Sequence, residues 1–334
     1  MICDFSKSYV PILGLMETQK AIKLVKDNFE RKLSESLDLT RVSAPLVVYQ
    51  KSGLNDHLNG VELPVSFNIK ANGEVAEVVQ SLAKWKRMAL DKYGFRPRYG
   101  LYTDMNALRK DEELDNLHSI YVDQWDWEQC IYEQDRNIDY LKKIVRKIVK
   151  AIVETKDLLN SVFPELKLKF SEDVYFITAT ELQKLYPTFT PKEREDAITK
   201  IYKSVFIIGI GGPLNDGKPH DQRAPDYDDW NLNGDILLWY EPLNKAVELS
   251  SMGIRVDKDS LLKQLEATKT MDRLKYPFHQ DIIKTRLPFS IGGGIGQSRL
   301  CLMMLEKVHI GEVQASLWSD DDLDELEKLG IPIL

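Results

Sequence analysis

The 334-residue chain contains few cysteines, few histidines and no long hydrophobic run. Its three cysteines, Cys3, Cys130 and Cys301, are widely spaced, which excludes a disulfide framework and the ligand spacing of a zinc site. The five histidines form no metal-binding pair. Residues 9–16 are apolar, but this run is too short for a membrane span and lacks the basic lead-in of an export signal. These absences indicate a reducing, cytoplasmic setting without a membrane partner.

The chain also lacks an excess of positive charge. Its 45 basic residues face 52 acidic ones, which gives a net charge of −7. A protein whose main partner is nucleic acid usually has the opposite balance, so we expect no nucleic-acid partner. The apolar fraction of 43% is sufficient for a hydrophobic core, and the length allows one large domain or two of ordinary size.

Two common nucleotide-binding motifs are missing. A dinucleotide fingerprint that starts at Gly292 or Gly294 would need a third glycine where the chain has Gln297 or Arg299. The Gly217–Lys218 pair is followed by proline, so it does not begin a Walker loop. The pattern is instead Gly-x-Gly-x-x-Arg, which indicates a different fold.

The glycine-rich stretch at residues 290–299 predicts a strand that leads into a helix. Backbone without Cβ atoms can lie directly against a ligand, and the stretch provides it at Gly292, Gly293, Gly294 and Gly296. A helix N-terminus behind the glycines would offer unpaired N–H groups and the positive end of the helix dipole. Arg299 falls on the first helical turn, where its guanidinium could contact a phosphate or a base. A tight strand-to-helix junction in the core would explain the glycines equally well.

The order of predicted elements indicates the fold class. Apolar residues at helical spacing predict helices at residues 17–37, 75–92 and 135–161, with shorter helical pieces to about residue 202. The basic residues of the second helix, which include Lys86, fit a solvated face or a binding surface. Strand-like runs lie at residues 41–49, 100–109, 118–128 and 205–210. Because the strands come in groups, we expect an α+β fold with a central, mostly antiparallel β-sheet flanked by helices.

Two strands joined by four residues form a predicted hairpin. In the register that pairs Tyr240 with Lys245, the side chains of Asp235, Glu248 and Ser250 point to one face of the sheet. Two carboxylates this close repel each other unless a positive charge lies between them. Mg²⁺ bound by both carboxylates and by substrate phosphates would supply that charge. A register shift of one residue, or one carboxylate that points to solvent, would remove this site.

Six sequence strings show a resemblance to a known family. They are, in chain order, SLAKWKR (81–87), YVDQWDWE (121–128), RAPDYDDW (223–230), LNGDIL (232–237), ELSSMGIRV (248–256) and GGGIGQSR (292–299). Together they resemble the ammonia-dependent asparagine synthetases, or aspartate–ammonia ligases, which have the motifs of class II aminoacyl-tRNA synthetase catalytic domains. The resemblance extends over residues 18–318. The segment between Trp230 and Leu232 is shorter than in some members of the family, which bears on what covers the site.

The resemblance implies one class II catalytic domain over residues 1–334, with about residues 135–202 as a helical insertion. It implies an enzyme that uses ATP and Mg²⁺ to adenylate the side-chain carboxylate of L-aspartate, with release of pyrophosphate. Ammonia then attacks the β-aspartyl-adenylate to give asparagine and AMP. Such a reaction depends on neutralised phosphates and aligned reacting atoms more than on acid–base chemistry. The first helix and Pro45 resemble the dimer element of class II enzymes, which implies a homodimer.

The resemblance also assigns roles to nucleotide-binding residues. Arg109 should hold the α-phosphate and the β-carboxylate of aspartate, and Arg299 should contact the adenine face or the γ-phosphate. Gln124 should contact the substrate or adenine. Asp235 and Glu248 should bind Mg²⁺. The floor of the nucleotide site should consist of Gly292, Gly293, Gly294 and Gly296.

The remaining assignments concern aspartate and ammonia. The residues expected to contact aspartate or its adenylate are Ser81, Lys86, Ser250, Ser251 and Arg255. Asp56, Asp126 and Asp228 are candidates for binding the α-amino group or ammonium. Ammonium must lose a proton before it attacks, so one carboxylate should accept that proton. We rank Asp56 and Asp228 above Asp126 for this role.

The sequence leaves two other functions open. An aspartate-specific aminoacyl-tRNA synthetase, or a paralogue of its catalytic core, would share the motifs. The negative net charge and the lack of a recognisable anticodon-binding domain disfavour it. A catalytically silent regulatory protein could also keep the fold, but such proteins usually lose the catalytic positions that are present here.

Overall fold

A computed structural model describes residues 9–56, 58 and 62–334; Cys3 and most of the polar loop after Asp56 lie outside these residues. The described strands are β1 (Leu39–Arg41), β2 (Val47–Tyr49), β3 (Ser66–Asn68), β4 (Val75–Val78), β5 (Gly100–Leu108), β6 (Tyr121–Cys130), β7 (Tyr175–Thr178), β8 (Ser204–Ile208), β9 (Asp228–Tyr240), β10 (Lys245–Arg255) and β11 (Ser290–Gly296). The described α-helices are α1 (Leu15–Leu37), α2 (Ala83–Lys92), α3 (Ile138–Val162), α4 (Ala179–Leu185), α5 (Pro191–Tyr202), α6 (Lys258–Ala267), α7 (Pro277–Ile283), α8 (Gln297–Met304) and α9 (Asp320–Lys328). None of the helices in these ranges combines the length and the apolar character needed to cross a membrane.

Eight strands form one sheet in the order β1-β5-β6-β11-β10-β9-β8-β7. From β5 to β8 along this order, neighbouring strands pair antiparallel. The edge strand β1 pairs in parallel with β5, and the edge strand β7 pairs in parallel with β8. A smaller antiparallel sheet has the order β2-β4-β3. The predicted α+β fold with a mostly antiparallel central sheet is therefore confirmed.

Strand β6 explains how an unusual mixture of tryptophans and carboxylates fits into a sheet. Successive side chains point to opposite faces of a strand. Trp125 and Trp127 belong to the main hydrophobic core, together with residues of α1, α3 and α8. The alternate residues Gln124, Asp126 and Glu128 therefore point to the opposite face. The tryptophans of β6 therefore face the main core, and its carboxylates lie on the opposite face of the sheet.

Helices α1 and α3 cover the apolar face. Val25, Phe29 and Leu33 of α1 are completely buried, and the Phe29 ring lies 4.9 Å from that of Trp125 between centroids. Asn28 of α1 donates a hydrogen bond of 3.1 Å to Thr155 of α3, which joins the two helices. The predicted helices at residues 17–37 and 135–161 are thus confirmed within a few residues at each end.

The predicted helix at residues 75–92 is wrong in its N-terminal part. Residues Val75–Val78 form β4, and α2 begins at Ala83. The β-branched valines favour a strand, and β4 pairs with β2 and β3 on its two sides. The predicted strand at residues 41–49 is also divided, because its two ends pair in different sheets on either side of Pro45. Strand β7 was not predicted at all.

The β9–β10 hairpin has the predicted register at its turn but not beyond Glu248. Tyr240 pairs with Lys245, as predicted. A β-bulge after Glu248 then shifts the register, so Ser251 and not Ser250 lies opposite Asp235. The prediction that Ser250 shares the face of the two carboxylates is wrong, because the bulge adds one residue to β10. The short segment between Trp230 and Leu232 is continuous strand within β9.

We predict that Phe29→Ala lowers the free energy of unfolding by about 3–5 kcal/mol, because it leaves a cavity against Trp125. Chemical denaturation would measure this change. Phe67→Ala is the matched control, since Phe67 is 46% exposed on the smaller sheet, and its expected loss is below about 1 kcal/mol. Equal losses for both variants would contradict the described packing of α1.

Candidate active site

A cavity of about 360 Å³ lies on the polar face of the central sheet. Most of the candidate residues border it: Asp56, Ser81, Lys86, Arg109, Gln124, Asp126, Asp228, Glu248, Ser250, Ser251, Arg255, Gly293, Gly294, Gly296 and Arg299. Gly292 and Asp235 do not border it. Residues from seven separated parts of the sequence therefore meet around one space.

The glycines of β11 form part of the cavity wall because neither side of the strand has room for side chains. A Cβ on Gly293 would lie 2.6 Å from the Cβ of Met252 on β10. A Cβ on Gly294 would overlap the side-chain oxygen of Gln124 on β6. The stretch is thus a tight strand-to-helix junction, and it also borders the cavity.

Behind Gly292, a buried ion-pair network fixes the wall between β6 and β10. Arg255 donates from Nε and Nη2 to the carboxylate of Glu128, at 2.6–3.1 Å. Ser290 donates to the same carboxylate at 2.7 Å. Arg255 also forms an ion pair with Asp228. Burial raises the pKa of Asp228, and Arg255 opposes this increase. Because of its ion pair with Arg255, Asp228 already has a strong partner.

Lys86 is buried in the wall of the cavity. Its side chain is 1% exposed, donates to the carbonyl oxygen of Gly293 at 2.9 Å and forms an ion pair with Asp126. Burial lowers the pKa of Lys86. Lys84 and Arg87 on the same helix are buried as well. The alternative of a solvated basic face on α2 is therefore wrong, and α2 directs its cations toward the protein interior.

Four residues at the cavity have a buried polar side-chain atom that lacks a hydrogen-bond partner in the part of the chain that the structure describes. These atoms are Oδ2 of Asp56, Oδ2 of Asp126, Nε of Arg109 and Oγ of Ser250, and we call them the open polar atoms. A buried polar atom without a partner is costly, so such atoms often mark the position of a ligand or of water. The open polar atoms comprise two carboxylate acceptors, one guanidinium donor and one hydroxyl that can donate or accept.

Asp56 is 2% exposed and lies beside a second buried cluster. Burial raises the pKa of Asp56, although Lys84 opposes this and Tyr227 donates a hydrogen bond to it. The neighbouring carboxylate of Asp226 accepts ion pairs from Lys84 at 3.0 Å and Arg273 at 2.9 Å. Although burial opposes it, these cations hold the pKa of Asp226 well below its usual range. Asp226 is therefore a structural anion, and Asp56 remains available to a ligand.

Arg299 lies on the first turn of α8, as predicted, and donates to the carbonyl oxygen of Glu248 at 2.9 Å. Asp123 of β6 fixes the start of this helix, since it accepts hydrogen bonds from Ser298 N at 3.0 Å and Ser298 Oγ at 2.8 Å. Lys26 of α1 forms an ion pair with the same carboxylate at 3.1 Å. The helix that contains Arg299 is thereby tied to the sheet and to α1.

The carboxylates of Asp235 and Glu248 come together as the hairpin predicted. Ser251 Oγ lies 2.8 Å from Asp235 and 3.1 Å from Glu248. Arg223 forms an ion pair with Asp235 and supplies the positive charge that the close carboxylates need. Burial raises the pKa of Asp235, whereas Arg223 and Arg299 hold the pKa of Glu248 below its usual value despite its burial. Three or more metal-ligating side chains do not come together anywhere in the described ranges.

The residue-by-residue reading of the sequence missed Arg223, Lys84, Asp226 and His279. Arg223 and Asp226 lie in the loop between β8 and β9, where no strand alternation indicates direction. His279 Nε2 lies 2.9 Å from Asp226 across 53 positions of sequence. The local sequence feature that indicates a site here is the string RAPDYDDW, which contains four charged residues, a proline, a tyrosine and a tryptophan.

Comparison with known proteins agrees with the resemblance of the six strings. The family model described as aspartate–ammonia ligase matches residues 16–330. The aspartate–ammonia ligase of Clostridium tetani is 57% identical over 329 residues, which cover 98% of this chain and 96% of that protein. The aspartate–ammonia ligase of Lactobacillus johnsonii is 52% identical over 330 residues, which cover 98% of both chains.

Solved structures show the same fold at much lower identity. The asparaginyl-tRNA synthetase of Pyrococcus horikoshii, complexed with asparaginyl-adenylate, has a TM-score of 0.64 at 17% identity. The match covers 91% of this chain and 70% of that one. The asparaginyl-tRNA synthetase of Entamoeba histolytica has a TM-score of 0.62 at 15% identity and is covered over 66% of its length.

These synthetases establish the class II fold, and the relatives above 50% identity establish the family. Both relatives are named aspartate–ammonia ligase, and neither is named a tRNA synthetase or a regulatory protein. The chain belongs to the aspartate–ammonia ligase family, the enzymes that make asparagine from aspartate and ammonia.

Proposed function

We propose that this chain amidates L-aspartate in two steps within the cavity described above. ATP first adenylates the side-chain carboxylate and releases pyrophosphate. Ammonia then attacks the β-aspartyl-adenylate and displaces AMP. The main support is that one cavity joins a glycine wall, four arginines and two carboxylates with open polar atoms. The arginines suit an anionic nucleotide, and the carboxylates suit the cationic amino group of aspartate and ammonium.

In this proposal, the nucleotide lies against β11 and α8. Gly293, Gly294, Gly296 and Gln124 border the space proposed for adenine or ribose. Arg299 would contact the adenine face or the γ-phosphate. Arg109 would direct its open polar atom at the α-phosphate and the aspartate β-carboxylate, where charge develops as the adenylate forms. Positioning and charge neutralisation are the main contributions to such a transfer.

Aspartate would bind at the end of the cavity that contains Lys86. The open polar atom of Asp126 could accept from the α-amino group, while Lys86 neutralises the pair. Other contacts would come from Ser81, Ser250 and Ser251. Arg255 borders the cavity but already binds Glu128 and Asp228, so we propose that it positions the wall beneath the substrate.

The donor set of Asp235 and Glu248 fits Mg²⁺. Mg²⁺ prefers oxygen ligands and is commonly held by one or two carboxylates together with substrate phosphates. Asp235 is buried and Glu248 is half-buried beside it. The two carboxylates carry more negative charge than the single arginine on Asp235 can neutralise. When bound there, the metal would neutralise the phosphates that leave as pyrophosphate.

We propose that Asp56 accepts the proton of ammonium. It has an open polar atom and a raised pKa, whereas Asp228 is held by Arg255. A carboxylate with a raised pKa is a better proton acceptor. This ranks Asp56 above Asp228, which the sequence could not do.

We further propose that the chain is a single catalytic domain that acts in the cytoplasm as a homodimer. The segment around Pro45 has large exposed side chains, since Leu46 is 58% exposed and Tyr49 is 42% exposed. Apolar exposure next to α1 suits an interface between two copies.

The decisive experiment is incubation of the purified protein with ATP, Mg²⁺, aspartate and ¹⁵N-labelled ammonium. We expect labelled asparagine, AMP and pyrophosphate in equal amounts. Formation of ADP and phosphate would contradict the adenylate route. Pyrophosphate release without asparagine would mean that the acceptor is not ammonia.

We predict that Arg109→Ala reduces aspartate-dependent exchange between ATP and pyrophosphate by about 10²–10³-fold, because charge on the α-phosphate is no longer stabilised. Lys110→Ala is the matched control, since Lys110 is the adjacent cation and does not border the cavity. It should keep near-normal exchange. Normal exchange in Arg109→Ala would remove Arg109 from the proposed site.

We predict that Asp56→Asn spares the exchange reaction and lowers asparagine formation by about 10²-fold, because the acceptor of the ammonium proton is lost. The asparagine rate should also lose the part of its pH dependence that lies above the usual titration range of an aspartate, because burial raises the pKa of Asp56. If both half-reactions fail together, Asp56 binds aspartate instead.

A further inference from the structure

Arg223 occupies an unexpected position for a residue in a surface loop. It lies between β8 and β9 in sequence, and its side chain is only 12% exposed. It borders the cavity, and its guanidinium forms an ion pair with Asp235 on β9. Burial works against its charge, but Asp235 and then Glu248 raise the pKa of Arg223 far above its usual value. The arginine therefore acts as a fixed cation on the carboxylate pair.

The same carboxylates are the proposed ligands of Mg²⁺, so the arginine and the metal compete for Asp235. A guanidinium that donates to a carboxylate oxygen occupies the lone pair a metal would use. It also repels a second cation across a short distance in a poorly solvated space. A metal can use Asp235 fully only if Arg223 gives up that contact.

Two anchors hold the loop around Arg223. On its N-terminal side, His220 Nε2 lies 3.0 Å from Glu195 of α5. On its C-terminal side, Asp226 pairs with Lys84 at 3.0 Å and with His279 at 2.9 Å. Because the backbone is held on both sides, a change of partner at Arg223 requires rotation of the side chain and not movement of the loop.

We infer that Arg223 is a resident counter-ion of the Asp235–Glu248 pair, which it exchanges for the phosphates of ATP when the metal–nucleotide complex binds. The inference rests on the proposed function for the identity of the nucleotide and the metal. Before binding, Arg223 partly neutralises the two carboxylates and suppresses metal binding. After binding, the metal takes the carboxylates and Arg223 pairs with the phosphates. The metal consequently enters with the nucleotide and not before it.

Other charged groups face the same pair and do not replace Arg223. Arg299 contacts the backbone carbonyl of Glu248 and not its carboxylate. Lys192 of α5 acts on Glu248 from a distance and has its own partner in Glu195 at 2.9 Å. Asp221, from the same loop, adds negative charge near Asp235. Within residues 9–56, 58 and 62–334, Arg223 is thus the cation in direct contact with a carboxylate of the pair.

The test titrates Mn²⁺, a paramagnetic substitute for Mg²⁺, into the full-length protein without nucleotide and measures free Mn²⁺ by electron paramagnetic resonance. We expect Arg223→Gln to bind Mn²⁺ at least about tenfold more tightly than the unmodified protein, because a competing charge is removed. Arg223→Lys keeps the charge and should bind weakly. Adding Asp235→Asn to Arg223→Gln should abolish the gain.

Arg273→Gln is the matched control, since it removes an arginine from the buried carboxylate of Asp226, outside the pair. It should leave Mn²⁺ affinity unchanged. Equal affinity for the unmodified protein and Arg223→Gln, including no binding to either, would overturn the inference. Weaker binding to Arg223→Gln would also overturn it.

Two further measurements cover the other half of the exchange. The KM for ATP should rise at least about tenfold in Arg223→Gln, because an arginine–phosphate contact is lost, while the KM for aspartate changes little. The melting temperature of the variant should fall without metal and recover with Mn²⁺, since the metal then neutralises the two carboxylates. An unchanged KM for ATP would contradict the phosphate contact. Failure of the unmodified protein to form asparagine would instead refute the proposed function and leave the nucleotide-free titration as the test of Arg223.

Discussion

The alternation of side chains along β6, β10 and β11 is the constraint on which the rest of the structure depends. Because each strand has two faces, Trp125 and Trp127 can enter the apolar core while Asp126 and Glu128 point the other way. The polar face would be unstable without compensation, since buried carboxylates need partners. Arg255 and Lys86 supply them from β10 and α2. The cavity therefore lies beside a part of the sheet whose charged side chains are paired with each other but are not covered by other side chains.

The degree of neutralisation distinguishes structural charges from those available to ligands. Glu128 accepts several short contacts from Arg255 and Ser290, and it stays anionic in place. Asp56 and Asp126 each keep an open polar atom at the cavity. A ligand that satisfies these atoms gains hydrogen bonds that the folded chain alone does not make, and this gain is one source of binding energy. Incomplete pairing therefore indicates where substrate groups bind more directly than residue type does.

The sequence predicted what depends on periodicity and failed where topology decides. Helix α1, helix α3 and the turn register at Tyr240 follow from local spacing, so they were found. The bulge after Glu248 depends on the pairing of β10 with two neighbouring strands, and no local sequence pattern predicts it. The misassigned helix at residues 75–92 has the same cause, since β4 exists because β2 and β3 lie beside it. Arg223 was missed because a loop has no periodicity from which to infer its direction.

One loop connects the two ends of the cavity. Arg223 faces the carboxylate pair, and Tyr227, four positions later, donates to Asp56. Between them, Asp226 is fixed by Lys84 and His279 on two different helices. A rotation of the Arg223 side chain therefore need not reach Asp56, because the anchored carboxylate separates them. In such a site, the phosphate end can change its partners as pyrophosphate leaves, while the end proposed to receive ammonia keeps its geometry for the second step.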